Sequence, residues 1–217
     1  MDDQTQQVTP TEKLRYDILD GTFSPGERLP EIALAERYSV GRGSIRSALI
    51  ELRSEGLVVI EANRGAMVRR IGLDEAIEIA EARKALEGLI AARAASNDDA
   101  KGRESLTSIV TEMRNAVASG DNRRYSELNR ELHGRIWELG GHRVGNDLVA
   151  NLRNRSAHHQ YRLAVMPGRA EESLEQHAAI VDAIVAGEVE RAETAMRDHL
   201  DSVIDVLSRW SELGVRP

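Results

Sequence analysis

From Asp74 to the C-terminus the apolar residues recur with a period near 3.6, and almost no strand pattern interrupts them. A chain patterned this way folds as packed amphipathic helices. The spacing predicts helices at about 74–97, 100–118, 122–139, 143–165, 170–186 and 188–212. Their separators, "SNDD", "ASGDN", "LGGHR", "MPGR" and "AGE", each carry Gly, Pro, Asn or Asp. Asp74 reads as the N-cap of the first helix. No sequence unit repeats at a fixed interval, so the expectation is one compact helical bundle rather than a solenoid.

The one change of period lies upstream. "LVVIEANRGAMVRRI" has a β-branched run, a turn centred on Asn63, Arg64 and Gly65, and a second apolar and basic run, which together predict a two-stranded hairpin. Before it stand three short helical patterns. Leu14, Ile18 and Leu19 mark the first, which stops at Gly21; Leu34 and Tyr38 face inward on the second; Ile45, Leu49 and Leu52 on the third. "SPGERLP" supplies the turn between the first two, and Gly56 sits where a helix-ending glycine belongs. Three helices and a hairpin make a winged helix-turn-helix. The fold class is therefore mainly α, with a winged helix-turn-helix over 1–70 and an all-helical domain over 71–217.

Composition narrows the chemistry. The 217 residues include no cysteine, which excludes disulfides, thiolate nucleophiles and cysteine metal sites. No apolar run approaches the length of a membrane span, and the polar, acidic "MDDQTQQVTP" is unlike a signal peptide, so a cytoplasmic protein without a membrane partner is expected. The net charge of −7 argues against a nucleic-acid binder, but the acid is unevenly placed. Residues 1–70 carry 10 Lys and Arg against 11 Asp and Glu, whereas 71–217 carry 19 against 25. Arg37, Arg42, Arg46 and Arg53 cluster in the first part, as do Arg64, Arg69 and Arg70. A basic face on a near-neutral module binds phosphates.

"SVGRGSIRSAL", residues 39–49, is where two readings compete. A dinucleotide-binding loop requires a strand, then G-x-G-x-x-G, then a helix. Here the third glycine is Arg46 and a helical pattern precedes, so the loop reading fails. A recognition helix instead buries one face and projects polar side chains from its first turns into the major groove. Ile45, Leu49 and Leu52 supply the buried face, while Arg42 and Arg46, four apart, emerge together on another. Guanidiniums are suited to guanine O6 and N7. Gly41 takes the N-cap, and Gly43 and Ser44 stand at the helix mouth for close approach and a phosphate contact.

The segment "ILDGTFSPGERLPEIALAERYSVGRGSIRSALIELRSEGLVVIEANRGAMV" resembles the winged-helix reader of GntR transcription regulators. The matching pattern runs I-x-x-G-x-(L/F)-x-P-G-x-x-L, L-A, V-(S/T)-R-x-x-(V/L)-R-x-A-L, L-x-x-(E/D)-G-L and R-G. Gly41 stands where that family usually has Ser or Thr, and Ser44 where it often has Pro or Thr. The resemblance implies that Arg42, Arg46, Arg64 and Gly65 contact double-stranded operator DNA.

Of the six histidines, three hold places that apolar residues would otherwise take. His177 lies on the stripe Leu174, His177, Val181, Ile184, and His199 on Met196, His199, Val203, Val206. His133 follows Asn129 by one helical turn, so the two side chains can reach a common point. Neutral imidazoles converging with an oxygen donor suit Zn, Ni or Mn. Buried core histidines without a metal are the alternative. Arg155 and His159 continue a stripe through Leu148 and Leu152 that is expected to face inward, while His142 and His158 are expected at the surface.

"EARKALEGLIAARAA", "NRELH", "SLEQHAAIVDAI" and "AMRDHL" resemble the motifs of the FCD effector domain found in the FadR-like branch of GntR regulators. Carried over position by position, the metal ligands are Asn129, His133, His177 and His199, with Asn129 replacing the Asp common in that family. The resemblance further implies a small organic-acid effector whose carboxylate the metal helps hold, with Arg83 as a candidate effector-binding residue, and a homodimer that acts as a repressor; Arg155 and His159, on their inward stripe, are further effector-binding candidates. Two other classes compete: a metal-dependent helical enzyme and a helical interaction protein without metal. H-E-x-x-H, Glu-x-x-His and G-x-S-x-G are all missing from the sequence, so no catalytic residue is assigned.

Overall fold

The computed structural model describes residues 8–164 and 166–213, and the backbone alone at 158, 160, 161 and 164. The surface position expected for the His158 side chain lies outside the described residues. The chain divides into two compact units. One ends at Ile71 and also takes in Arg153–Tyr161; the other comprises Gly72–Leu152 and the chain from Arg162 onward. Among the described residues no helix is long and apolar enough to cross a membrane.

In the first unit, α1 (Pro10–Leu19) starts at Thr9, whose hydroxyl accepts the Glu12 N–H at 3.2 Å while the Glu12 carboxylate accepts the Thr9 N–H at 2.7 Å. This reciprocal pair satisfies two amides that the first helical turn leaves open. α2 (Glu31–Tyr38) and α3 (Arg42–Ser54) meet through a tight turn in which Ser39 takes φ +55°, a left-handed conformation costly for a residue with a Cβ. Ile45, Ala48, Leu49 and Leu52 bury one side of α3, as their spacing predicts. β1 (Val58–Glu61) and β2 (Gly65–Val68) pair antiparallel, with Val58 opposite Val68 and Glu61 opposite Gly65. The segment before α2 joins the free edge of β2: Leu29 N–H donates to Ala66 O and Val68 N–H to Glu27 O, both at 2.9 Å. This fixes the hairpin against the helices. Leu14, Leu29, Leu34, Ile45, Leu52, Leu57 and Val68 form the core beneath.

The second unit holds α4 (Leu73–Ala95), α5 (Ala100–Ser119), α6 (Asn122–Gly140), most of α7 (Arg143–Arg155), the end of α8 (Ala157–Ala164), α9 (Arg169–Val185) and α10 (Val189–Glu212). Gly72, not Asp74, is the N-cap of α4; Asp74 lies in the first turn, where its carboxylate faces the positive end of the helix dipole. The single helix expected at 143–165 breaks at Ser156. Its N–H and hydroxyl both turn back to Arg153 O, at 3.2 and 3.3 Å, a local alternative to continuing the helix. The inward stripe expected through Leu148 to His159 is thereby divided: Leu148 is 51% exposed, whereas His159, on the next helix, is buried.

α4 packs along α10 and crosses α6 and α9. Its contact with α6 is close: a Cβ on Gly140 would stand 2.6 Å from Ile90 O. Arg93 Nε and Asn97 Nδ2 donate to the terminal α6 carbonyls of Gly140 and Leu139 at 3.0 and 2.8 Å. Ile90, Leu106, Met113, Leu128, Leu132, Ile136, Ile180 and Met196 fill the core between these helices.

Candidate functional site

Arg42, Gly43, Ser44 and Arg46 are all exposed at the start of α3, which begins from Gly41 without a side-chain cap. Gly41 therefore holds the N-cap, as expected. Arg64 and Gly65 are exposed at the hairpin tip, where Gly65 takes φ +78° and Arg64 Nη1 lies 3.2 Å from Glu61 Oε2. Arg28, Arg42, Arg46 and Arg64 line an open groove of about 500 Å³ together with Glu31. Arg46 donates from Nε and Nη2 to the two oxygens of Glu31 at 3.1 and 2.9 Å, and Arg42 Nη2 stands 3.6 Å from the same carboxylate. The Arg46 hydrogen bonds, followed by the positive charges, hold the Glu31 carboxyl below the usual carboxylate range. Four guanidiniums against the carboxylate of Glu31, with that of Glu61 beside Arg64, leave this groove net basic and attractive to a polyanion. Arg37 is used differently. It pairs with Asp17 at 3.0 Å and stacks 5.1 Å over Phe23, within the packing of the unit.

In the second unit α6, α9 and α10 bring His133, His177 and His199 together. All three are buried, and a potential ligand atom from each lies within 4.8 Å of the other two. One ion bonded at about 2.1 Å to each nitrogen spans that distance with small side-chain adjustment. The outer ring nitrogens are occupied. His133 Nδ1 is 2.8 Å from Glu87 Oε2 and His199 Nδ1 is 2.9 Å from Gln176 Oε1. Because both partners are acceptors, Nδ1 carries the proton in each ring, and Nε2 keeps the lone pair a metal requires. His177 Nδ1 stands 3.4 Å from Tyr125 Oη and from Ser173 Oγ. Burial, ahead of the field of the Arg169 guanidinium, pushes His199 well below its ordinary range and favours the neutral imidazole. Burial pushes the Tyr125 hydroxyl up to about 12.

Asn129, one turn before His133 on α6, has its Oδ1 buried without a hydrogen-bond partner. A buried acceptor oxygen left unsatisfied one helical turn from His133, together with three gathered imidazoles, is the donor set of a borderline divalent cation site. The residues present fit such an ion.

A second layer of side chains surrounds the histidines. Arg83 and Glu87 lie on the inward stripe of α4 formed with Ala76, Ala80, Ile90 and Ala94. Glu87 is fully buried; it accepts from Arg83 Nε at 2.7 Å and from His133, and Trp137 Nε1 stands 3.4 Å away. Arg169, 5% exposed, donates to Ser202 Oγ at 3.0 Å. Ser202 in turn donates to Gln176, the partner of His199. The carboxylate beside Arg169 is that of Glu172, 3.2 Å away and itself 55% exposed.

Of the expected effector residues, the structure brings Arg83 to this cluster. Arg155 and His159 belong instead to the first unit, where His159 Nε2 lies 3.1 Å from Ile71 O. His142, expected at the surface, is half-buried and caps α7 through Nδ1, which accepts the Gly145 N–H at 2.9 Å. Sequence reasoning missed Glu31, Glu87, Gln176 and Arg169. A signal existed for Glu87, since opposite charges four apart on an Ala-rich buried stripe must neutralise each other.

Residues 6–68 match the family described as bacterial regulatory proteins, gntR family, and residues 78–202 match the FCD domain. The chain is 27% identical to the HTH-type transcriptional repressor RspR of Escherichia coli K12 over 88% of this chain and 83% of that protein. It is 31% identical to an HTH-type regulator in an unstable DNA locus of Streptomyces ambofaciens, over 91% of this chain and 83% of that one. The solved structure of E. coli McbR/YncC shares the fold with a TM-score of 0.81 at 21% identity, covering 93% of this chain and 96% of that one. A winged reader joined to a helical FCD domain, with relatives named as regulators over nearly the whole length, places the chain in a family: it belongs to the GntR transcription regulators that carry an FCD domain.

Proposed function

We propose that this GntR regulator is a repressor whose operator affinity is set by a small organic acid bound beside a divalent metal in the helical unit. The observation that carries the reading is the gathering of three buried imidazoles, with the Oδ1 of Asn129 left without a hydrogen-bond partner one helical turn from His133. Asn129, His133, His177 and His199 would hold Zn, Ni or Mn. A bound divalent ion supplies a Lewis-acidic point that accepts a carboxylate. Arg169 is better placed than Arg83 to take an anion, because Arg83 is already neutralised by buried Glu87 whereas the carboxylate beside Arg169 is half in solvent. Arg42, Gly43, Ser44 and Arg46 read the major groove, and Arg64 and Gly65 meet the adjacent backbone. A homodimer presents two readers to half-sites, and the effector switches binding only through unequal affinity for the DNA-competent and incompetent arrangements.

Two variants test both halves. Metal analysis of the purified full chain should give about one divalent ion per chain, and the ion should be lost in His177→Ala while duplex binding persists. Arg46→Ala should abolish binding to duplexes selected from random DNA and keep the metal. A metal-free wild-type chain that also shows no melting-temperature rise with organic acids contradicts the effector-site reading.

A further inference from the structure

The groove between α3 and the hairpin contains one feature that DNA affinity alone does not call for. Glu31 is a carboxylate placed among arginines where the phosphates of a duplex would come. It is held firmly: Pro30 precedes it as the N-cap of α2, and Leu34, one turn on, is buried in the core. As an exposed ion pair it contributes little to stability, and near phosphate it opposes binding. Its geometry toward Arg46 gives it a different use.

A guanidinium offers two hydrogen-bonding edges, Nε with Nη2 and Nη1 with Nη2. Glu31 occupies the first edge of Arg46 with both carboxylate oxygens, at 3.1 and 2.9 Å. The outer Nη1–Nη2 edge is the one that matches guanine O6 and N7. A fork gripped from behind loses little further freedom when it meets a base, so the cost of ordering a long side chain is met before binding. The Arg42 guanidinium, 3.6 Å from the same carboxylate, is drawn to the same place.

We infer that Glu31 is a positioning residue for base reading: it braces Arg46 by its inner edge so that the outer edge meets guanine, and it weakens non-specific binding by offsetting the arginines' charge. The inference rests on Arg46 being a base-reading residue. Removing the brace therefore moves the two kinds of binding in opposite directions.

The test uses the full chain, a randomised duplex library and a duplex of unselected sequence at two or more salt concentrations. Wild type, Glu31→Gln, Glu31→Ala and Arg46→Ala are selected and titrated in parallel. Glu31→Ala should bind the unselected duplex more tightly, with a steeper salt dependence, and lose about tenfold or more of its discrimination at a guanine of the selected motif. Glu31→Gln, which keeps one acceptor, should fall between. Equal factors for selected and unselected duplex in Glu31→Ala, or an unchanged motif there when Arg46→Ala loses it, overturn the inference alone. A wild-type motif retained by Arg46→Ala overturns the assignment of Arg46, and the inference with it. Circular dichroism melts matching wild type exclude misfolding as the cause of either result.

Discussion

The two units each hold an arginine bonded to a glutamate, Arg46 with Glu31 and Arg83 with Glu87, and the two pairs do opposite work. In the reader the Arg46 side chain is 62% exposed, so water and salt weaken the pair and the rest of the guanidinium stays open to solvent. In the bundle Arg83 and Glu87 are 6% and 0% exposed, and neither charge can leave the other without remaining unsolvated. The comparison teaches that burial, not residue type, decides whether an ion pair is a contact surface or a structural commitment. Glu87 then adds a second duty, because its other oxygen fixes the tautomer of His133.

The largest way to break the contrast is Glu87→Ala. It strands the Arg83 charge in the core and should cost about 3–5 kcal/mol in urea denaturation, whereas Glu31→Ala should leave the denaturation midpoint in place. The double variant Arg83→Met with Glu87→Leu should recover most of that loss, yet still weaken metal binding about 10–100-fold through the freed His133 ring. If the single and double variants are equally unstable, the pair is not what the buried stripe is built around. Gly140→Ala comes next. Its methyl would meet Ile90 O at 2.6 Å, so α6 and α4 must separate, at about 1–3 kcal/mol in the same denaturation. The smallest effect belongs to the reader. Thr9→Ala removes one hydroxyl acceptor from the first turn of α1 and should lower thermal stability by about 1 kcal/mol without changing DNA preference.

Much of the site was legible because helical periodicity fixes the phase of a side chain. Ile45, Leu49 and Leu52 bury one face of α3, and Arg42 and Arg46 must then emerge. The stripes through His177 and His199 likewise place both rings inward, where Leu174, Val181 and Ile184 are buried with the first and Met196 and Val206 with the second. The same reasoning put Arg155 and His159 on one helix, whereas Ser156 turns back on Arg153 O between them; His159 is buried all the same, within the first unit. Across a helix break the phase of a stripe no longer says which neighbours a buried side chain meets.

By itself the sequence determined the local elements: the turn and glycine signals, the hairpin, and the inward faces of the helices. Those depend on residues within a turn or two of each other, where rotation per residue is known. Tertiary structure alone decided the partners. Glu87 meets His133 across 46 residues, Gln176 meets His199 across 23, Arg169 meets Ser202 across 33 and Glu31 meets Arg46 across 15. Each joins two helices whose crossing is set by packing of the whole core, and periodicity within one helix carries no information about which residue of another will face it.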